Sequence, residues 1–220
     1  EVYRLAVGLL WEYVSKNDKE SLLQNLSELD TGNPIRIWRK GKSISSDIAH
    51  SVRERGKLFE ATNLKGDESL TIGELGAGHG RLAEIFGKTS NFRHIIFDIT
   101  PALYVSQWYV KEIFPNEKIF EFRSFDNFND IQEELDQCRF AFFTSNQIEK
   151  IPEDYLDIFI NFKSLAEMQK RQVENFLHHI GRITSKTFFS SQQIVSKNPV
   201  EAELFTKESF AMNDKWRLDV

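Results

Sequence analysis

One cysteine, Cys138, two methionines and five prolines in 220 residues leave little material for several classes of protein. A lone cysteine closes no internal disulfide and supplies no multi-cysteine metal site, which fits a reducing compartment. Standing before an apolar run, it reads as a core residue. No uninterrupted apolar stretch approaches the roughly 20 residues that span a bilayer, and nothing near the start resembles a signal cleavage site, so a soluble, cytoplasmic chain with no membrane partner is expected. The sequence starts at Glu1 without a methionine, and a segment upstream of it is expected. Positive charge is also in deficit: 28 Lys and Arg against 33 Asp and Glu give a net charge of -5 and an isoelectric point near 5.6. That balance argues against a broad phosphate-binding face and against nucleic acid as a partner.

What is present is a chain that is 40% hydrophobic and contains 19 phenylalanines, enough for one sizeable core with a small appended lobe. The first sixty residues read as helical. Val2, Leu5, Ala6, Leu9, Leu10 and Tyr13 are spaced as one apolar helix face, and Leu22, Leu23 and Leu26 suggest a second short helix. A turn-rich break over 30–34 leads to a basic segment, 35–42, containing Trp38, and Ser45-Ser46-Asp47 then predicts a helix start, with the helix running to about Ala61. From Leu70 the pattern changes. Apolar runs at 70–75, 93–99, 118–122, 139–144, 156–162 and 186–194 read as six strands, and the stretches 81–88, 101–114, 128–136 and 165–183 read as helices between them. Such alternation predicts an α/β fold with a doubly wound, mostly parallel sheet. A last strand is expected to begin at Trp216 and be cut off by the chain end. The chain thus divides into a helical cap over 1–62 and a ligand-binding α/β domain over 63–220.

In doubly wound sheets the ligand sits outside the carboxyl ends of the strands, where strand order reverses, so the loop after the first strand is the place to look. Here that loop reads Glu74-Leu75-Gly76-Ala77-Gly78-His79-Gly80. Its three glycines permit a sharp turn and a close ligand, and Glu74 at the strand end is placed to receive a cation. A dinucleotide fingerprint would need glycine where Arg81 stands, which disfavours an NAD enzyme. The next strand ends in Asp98, a carboxylate able to accept hydrogen bonds from both hydroxyls of a ribose, or to cap the helix that follows.

The acidic-x-G-x-G-x-G spacing resembles the first motif of class I S-adenosylmethionine-dependent methyltransferases. The stretch from Asp98 through Pro101, Leu103, Gln107 and Tyr109 to Val110, and the stretch Asn161 to Met168, are similar to two motifs of a family of sugar O-methyltransferases. The likeness covers roughly 32–193 and departs at Thr100, where the family has proline, and at His79, where it often has an aromatic residue. The resemblance implies a Rossmann-like fold and S-adenosylmethionine as cofactor, held by Glu74, Gly76, Ala77, Gly78, Gly80, Asp98 and Ile99. It places Phe125 against the adenine and Asn146 against the methionine moiety. It also implies methyl transfer to a hydroxyl of a sugar or nucleotide-linked sugar.

Such a transfer needs alignment and a proton acceptor. Glu167 is the first candidate, His79 the second. Glu167 as a first-turn carboxylate, and His79 as a residue that merely shapes its loop, are the alternatives. Trp38 and Arg39, with Lys40 and Lys42, offer a ring and donors to hold the acceptor. No metal is expected, since the acidic pairs Glu133-Glu134 and Glu153-Asp154 fall in helices or connections. Two other functions stay open: methylation of another small molecule, and a methyltransferase-like binding module without catalysis.

Overall fold

The fold was analysed in a computed structural model, which describes residues 1–193, 196–197, 204–206, 209 and 214–217. The chain opens with helix α1 (Val2–Asn17), the one-turn α2 (Leu22–Asn25), a hairpin of β1 (Ile37–Arg39) and β2 (Lys42–Ile44), and α3 (Ser46–Thr62). The sheet strands follow with their helices: β3 (Thr71–Leu75), α4 (Arg81–Thr89), β4 (Arg93–Asp98), α5 (Thr100–Ile113), β5 (Ile119–Phe120), α6 (Asn129–Asp136), β6 (Phe140–Thr144), β7 (Leu156–Phe162), α7 (Lys170–Ile183) and β8 (Thr184–Ser191). A short antiparallel ribbon pairs β9 (Ser196–Lys197) with β10 (Leu204–Phe205). The expected strand over 186–194 is β8, of which Ile194 lies outside the described residues. So do 218–220, most of the expected last strand.

The main sheet has six strands in the order β5-β6-β4-β3-β7-β8, and every pairing in it is parallel. This is the doubly wound α/β architecture. From β3 the chain winds outward through β4, β6 and β5, then returns to place β7 on the other flank of β3, so strand order reverses between β3 and β7. Both faces are covered, which is why the strands read as continuous apolar runs. On one face Ile72, Ile96, Ile158 and Ile160 pack against α3, α4 and α5 through Leu58, Phe86, Leu103 and Val110. On the other face, Leu75, Phe97, Phe143 and Phe159 pack against α6 and α7 through Ile131, Val173 and Leu177.

That second face carries a row of aromatic rings from edge to edge. Phe120 lies 5.4 Å from Phe143, Phe143 5.7 Å from Phe97, Phe97 6.0 Å from Phe159 and Phe159 6.2 Å from Phe188. Phe97 and Phe159 belong to strands separated by β3. They meet because β3 presents Gly73 opposite Phe159, where a Cβ would stand 2.8 Å from that ring and 2.6 Å from Leu156.

Most of the first 62 residues gather in a second cluster around Val7, Trp11, Val14, Leu23, Ile44 and Val52, which meets the sheet layers through Ile85 of α4, while Leu58 and Phe59 at the end of α3 belong to the sheet's own cluster. Two expectations are corrected here. The face of α1 that packs is Val7, Trp11 and Val14, whereas Val2, Leu5, Leu9 and Tyr13 are exposed. The helix is apolar on two sides, and periodicity alone selected the wrong one. The basic segment forms a hairpin instead of a helical approach, its turn made by Lys40 (φ 50°) and Gly41 (φ 77°), a pair of left-handed residues that matches strand twist. The start of α3 is as expected, with the Ser45 side chain accepting from the Asp47 N–H at 3.1 Å.

Candidate active site

The loop after β3 is held from both flanking strands. Gly76 (φ 77°) donates its N–H to the Phe97 carbonyl at 2.9 Å. On the β7 side, the fully buried Asn161 donates to the Leu75 carbonyl at 2.8 Å and to the Ser164 hydroxyl at 2.5 Å. That hydroxyl in turn donates to the Leu75 carbonyl at 3.1 Å. The fit is close, since a Cβ on Gly76 would lie 2.4 Å from Ser164 Oγ. Gly78 (φ 60°) is the opposite case, exposed at the crest of the loop, with nothing within 4 Å of an added Cβ. Gly80 (φ 91°) opens α4, and Ala77 is buried against Leu103.

Asp98 closes the arrangement. Its Oδ2 accepts the Gly78 N–H at 2.9 Å and its Oδ1 accepts the Ile99 N–H at 2.7 Å. Burial pushes the carboxyl above its ordinary range, opposed by the N–H groups of Ile99 and Gly78. The glycine loop and the end of β4 are therefore clipped together, with Ile99 63% exposed on the rim. Helix capping, the other role open to Asp98, is not seen, because the N-cap of α5 is Ile99 and no side chain caps it.

Several nominated residues lie elsewhere. Glu74 is shut beneath the site, with its Oε2 2.9 Å from Nε2 of the equally buried His94. It leans toward the helical layer, where the His94 ring meets Phe86, so the group beside it is an imidazole of the neighbouring strand. Phe125 is a core residue, 7% exposed and edge-on to Phe143, so its ring offers no face to an adenine. Asn146 is exposed in the turn after β6, but β6 pairs with β4, setting Thr144 opposite Asp98. It stands on the Asp98 flank and not beside β7, because the two-residue β5 adds outside β6 and leaves β6 the place next to β4. Trp38 is 78% exposed on the hairpin, and Arg39 is tied to Glu12 of α1 at 2.8 Å. Neither is in the walls of the cavity beside the glycine loop. Glu167 is exposed at the end of the turn after β7, three residues beyond Ser164. His79 is half-buried, edge-on to Tyr109 with ring centroids 5.4 Å apart.

Beside the loop opens a cavity of about 260 Å³, walled by Glu28, Asp47, His79, Glu84, Trp108 and Tyr109. A larger one, about 570 Å³, lies between α1 and α3 and has no strand-end residue in its walls. Arg81, expected only to exclude dinucleotides, anchors α3. It pairs with the buried Glu54 at 2.5 Å and donates to Ser51 at 3.1 Å.

The sequence reading missed the acidic walls and His50. On α3, burial, with help from the charges of Lys163 and Arg81, lowers the His50 imidazole to about 4, keeping it neutral near the end of β7. Only its place in a helix was legible beforehand. Among the described residues, no three His, Cys, Asp or Glu side chains gather as a metal site, and no helix is long and apolar enough to cross a membrane.

A scan against protein-family models finds no match to the sequence, and a search of curated proteins finds none either. Solved structures do match. A candidate S-adenosyl-L-methionine-dependent methyltransferase from Methanococcus maripaludis is 15% identical over 60% of this chain and 52% of its own, with a TM-score of 0.41. The YcgJ protein of Bacillus subtilis is 16% identical over 69% and 53%, with a TM-score of 0.44. Mitomycin 7-O-methyltransferase is 14% identical over 87% and 52%, with a TM-score of 0.42. The chain spans about half the length of each, and overlaps this partial leave chemistry and substrate to be argued from the site itself.

Proposed function

We propose that this chain is an S-adenosylmethionine-dependent methyltransferase acting on a hydroxyl of a small molecule, a sugar in the first place. The observation that carries the reading is the clip between Asp98 and Gly78 at adjacent strand ends, next to the reversal of strand order where such sheets bind ligands. The residues fit the cofactor. Gly78 leaves open space above the loop, and Asp98 keeps lone pairs for ribose hydroxyls beyond the two N–H groups it already accepts. The exposed Ile99 offers an apolar surface for adenine. Bound here, S-adenosylmethionine would supply an electrophilic methyl group on a sulfonium.

The chain's own residues have two tasks: to orient the acceptor hydroxyl and to take its proton. Glu167 is the first choice for the proton, from its place on the rim beyond β7. His79 is the second, and His50 joins them as an imidazole held neutral. Residues 1–62 are proposed as the acceptor-binding cap, with 63–220 as the cofactor-binding part. The test is calorimetry with S-adenosylmethionine, S-adenosylhomocysteine and NAD. Binding of the first two and not the third is expected, whereas binding of NAD alone would overturn the assignment.

One observation favours a second reading. No hydrogen bond among the described residues orients the exposed Glu167, as a chain that binds the cofactor without catalysis would have it. Binding without turnover across a panel of hydroxylated acceptors would support that reading.

A further inference from the structure

The cavity beside the glycine loop has a definite chemistry. Its walls include three carboxylates. Glu84 is neutralised by Lys88 at 2.5 Å and accepts the Tyr109 hydroxyl at 2.6 Å. Glu28 accepts only a hydroxyl, that of Ser45, at 2.5 Å. Asp47 accepts nothing at its carboxylate, and neither Glu28 nor Asp47 has an ion-pair partner among the described residues. Among the described residues, Arg81 is the one cation in the walls, and it is taken by Glu54. Burial raises the Glu28 carboxyl, and the charges of Glu84 and Asp47 raise it further, opposed by the Ser45 hydroxyl and the charge of Arg36, as expected of acids gathered in one space. Aromatic rings complete the walls: Trp108, 44% exposed, with Tyr109 and His79 set edge to face.

We infer that this cavity takes a small hydroxylated acceptor carrying a protonated amine, with the ammonium held by Glu28 and Asp47 and the body of the molecule against Trp108. This rests on the methyltransferase reading and narrows its acceptor. An amino sugar has the required parts. Its ammonium answers two carboxylates that make no ion pair among the described residues, and its ring C–H faces and positive charge suit an aromatic wall. A phosphate or nucleotide-linked sugar does not suit it. The carboxylates repel the phosphate, and about 260 Å³ falls below the roughly 300–1,000 Å³ typical of sites for drug-sized ligands.

The experiment compares glucosamine, glucose and glucose 6-phosphate by calorimetry, with and without saturating S-adenosylhomocysteine. Glucosamine should bind about tenfold or more tighter than glucose, the span of a hydrogen bond to a charged group, and glucose 6-phosphate should bind weakest. In a Glu28→Gln, Asp47→Asn double variant the advantage of glucosamine should disappear while S-adenosylhomocysteine binds as before, showing that the fold is intact. Glucosamine binding no tighter than glucose, or glucose 6-phosphate binding tightest, overturns the inference. S-adenosylhomocysteine binding in the same titrations reports separately on the cofactor reading, so the two can fail independently.

Discussion

Asp98 holds two parts of the chain together and is also the group proposed to meet the ribose. Its replacement by Ala should weaken S-adenosylmethionine binding by about 1.5–3 kcal/mol, the range for hydrogen bonds to a charged acceptor. Calorimetry would show this, and an unchanged affinity would leave Asp98 as a loop clip only. His50 makes a prediction about pH. Its folded value of about 4 lies below the ordinary 6.5, so between those values the unfolded chain binds a proton that the folded chain refuses, and stability falls as pH falls through that window. Melting temperatures of His50→Gln should fall less steeply over the same range; an identical slope would show that His50 does not titrate this way. At this scale the sequence was legible where a residue type is dictated by backbone geometry, as at Gly76, Gly78 and Asp98. It was illegible where a side chain chooses between partners. Glu74 and His94 find each other across two strands, and nothing in their spacing announces it.

Among the elements, β3 is the most constrained. Two glycines, Gly73 within the strand and Gly78 just after it, fail differently when given a methyl group. Gly73→Ala drives a Cβ into Phe159 and Leu156, and the overpacking should cost about 1–3 kcal/mol in urea unfolding. Gly78→Ala meets no atom, so it should cost about 1 kcal/mol for its left-handed backbone yet reduce cofactor affinity far more than Gly73→Ala does. The reverse ranking of affinities would mean the cofactor does not cross the crest of the loop. Strands β4, β6 and β7 were readable because burial on both faces makes them continuous apolar runs. The hairpin of β1 and β2 was hidden by its basic composition, although Lys40-Gly41 carried the signal of its turn. The position of β6 was illegible because pairing order depends on contacts remote in sequence.

On the scale of the whole molecule, the first 62 residues are joined to the sheet layers by Ile85, by Leu58 and Phe59 of α3, and by an ion pair. That pair is Arg81 with the buried Glu54. Removing one partner strands a charge in the interior, so Arg81→Met should cost about 3–5 kcal/mol, and Arg81→Met with Glu54→Met should recover most of it. Urea titrations of both variants would check this, and equal losses in the two would mean the pairing of the two charges is not what stabilises this junction. That the chain before Leu70 differs in character from the strands after it was legible from the change of texture there. Its manner of attachment was not, because Arg81 sits in the glycine-loop motif and was read for what it excludes.

The row of rings from Phe120 to Phe188 makes the sheet's opening motions unequal. An edge strand can peel away while the rings of the central strands stay together: β5 parts Phe120 from Phe143 and has only two residues to hold it, and β8 parts Phe188 from Phe159 and Phe189 from Phe162. To separate β4 from β3 or β3 from β7, the Phe97–Phe159 contact that bridges Gly73 must break as well, and the glycine loop is attached to those same strands. Amide protons of β5 and β8 should therefore exchange with solvent through local fluctuations, and those of β3, β4 and β7 only when the whole domain unfolds. The strand ends proposed to hold the cofactor would then be the slowest-exchanging part of the protein.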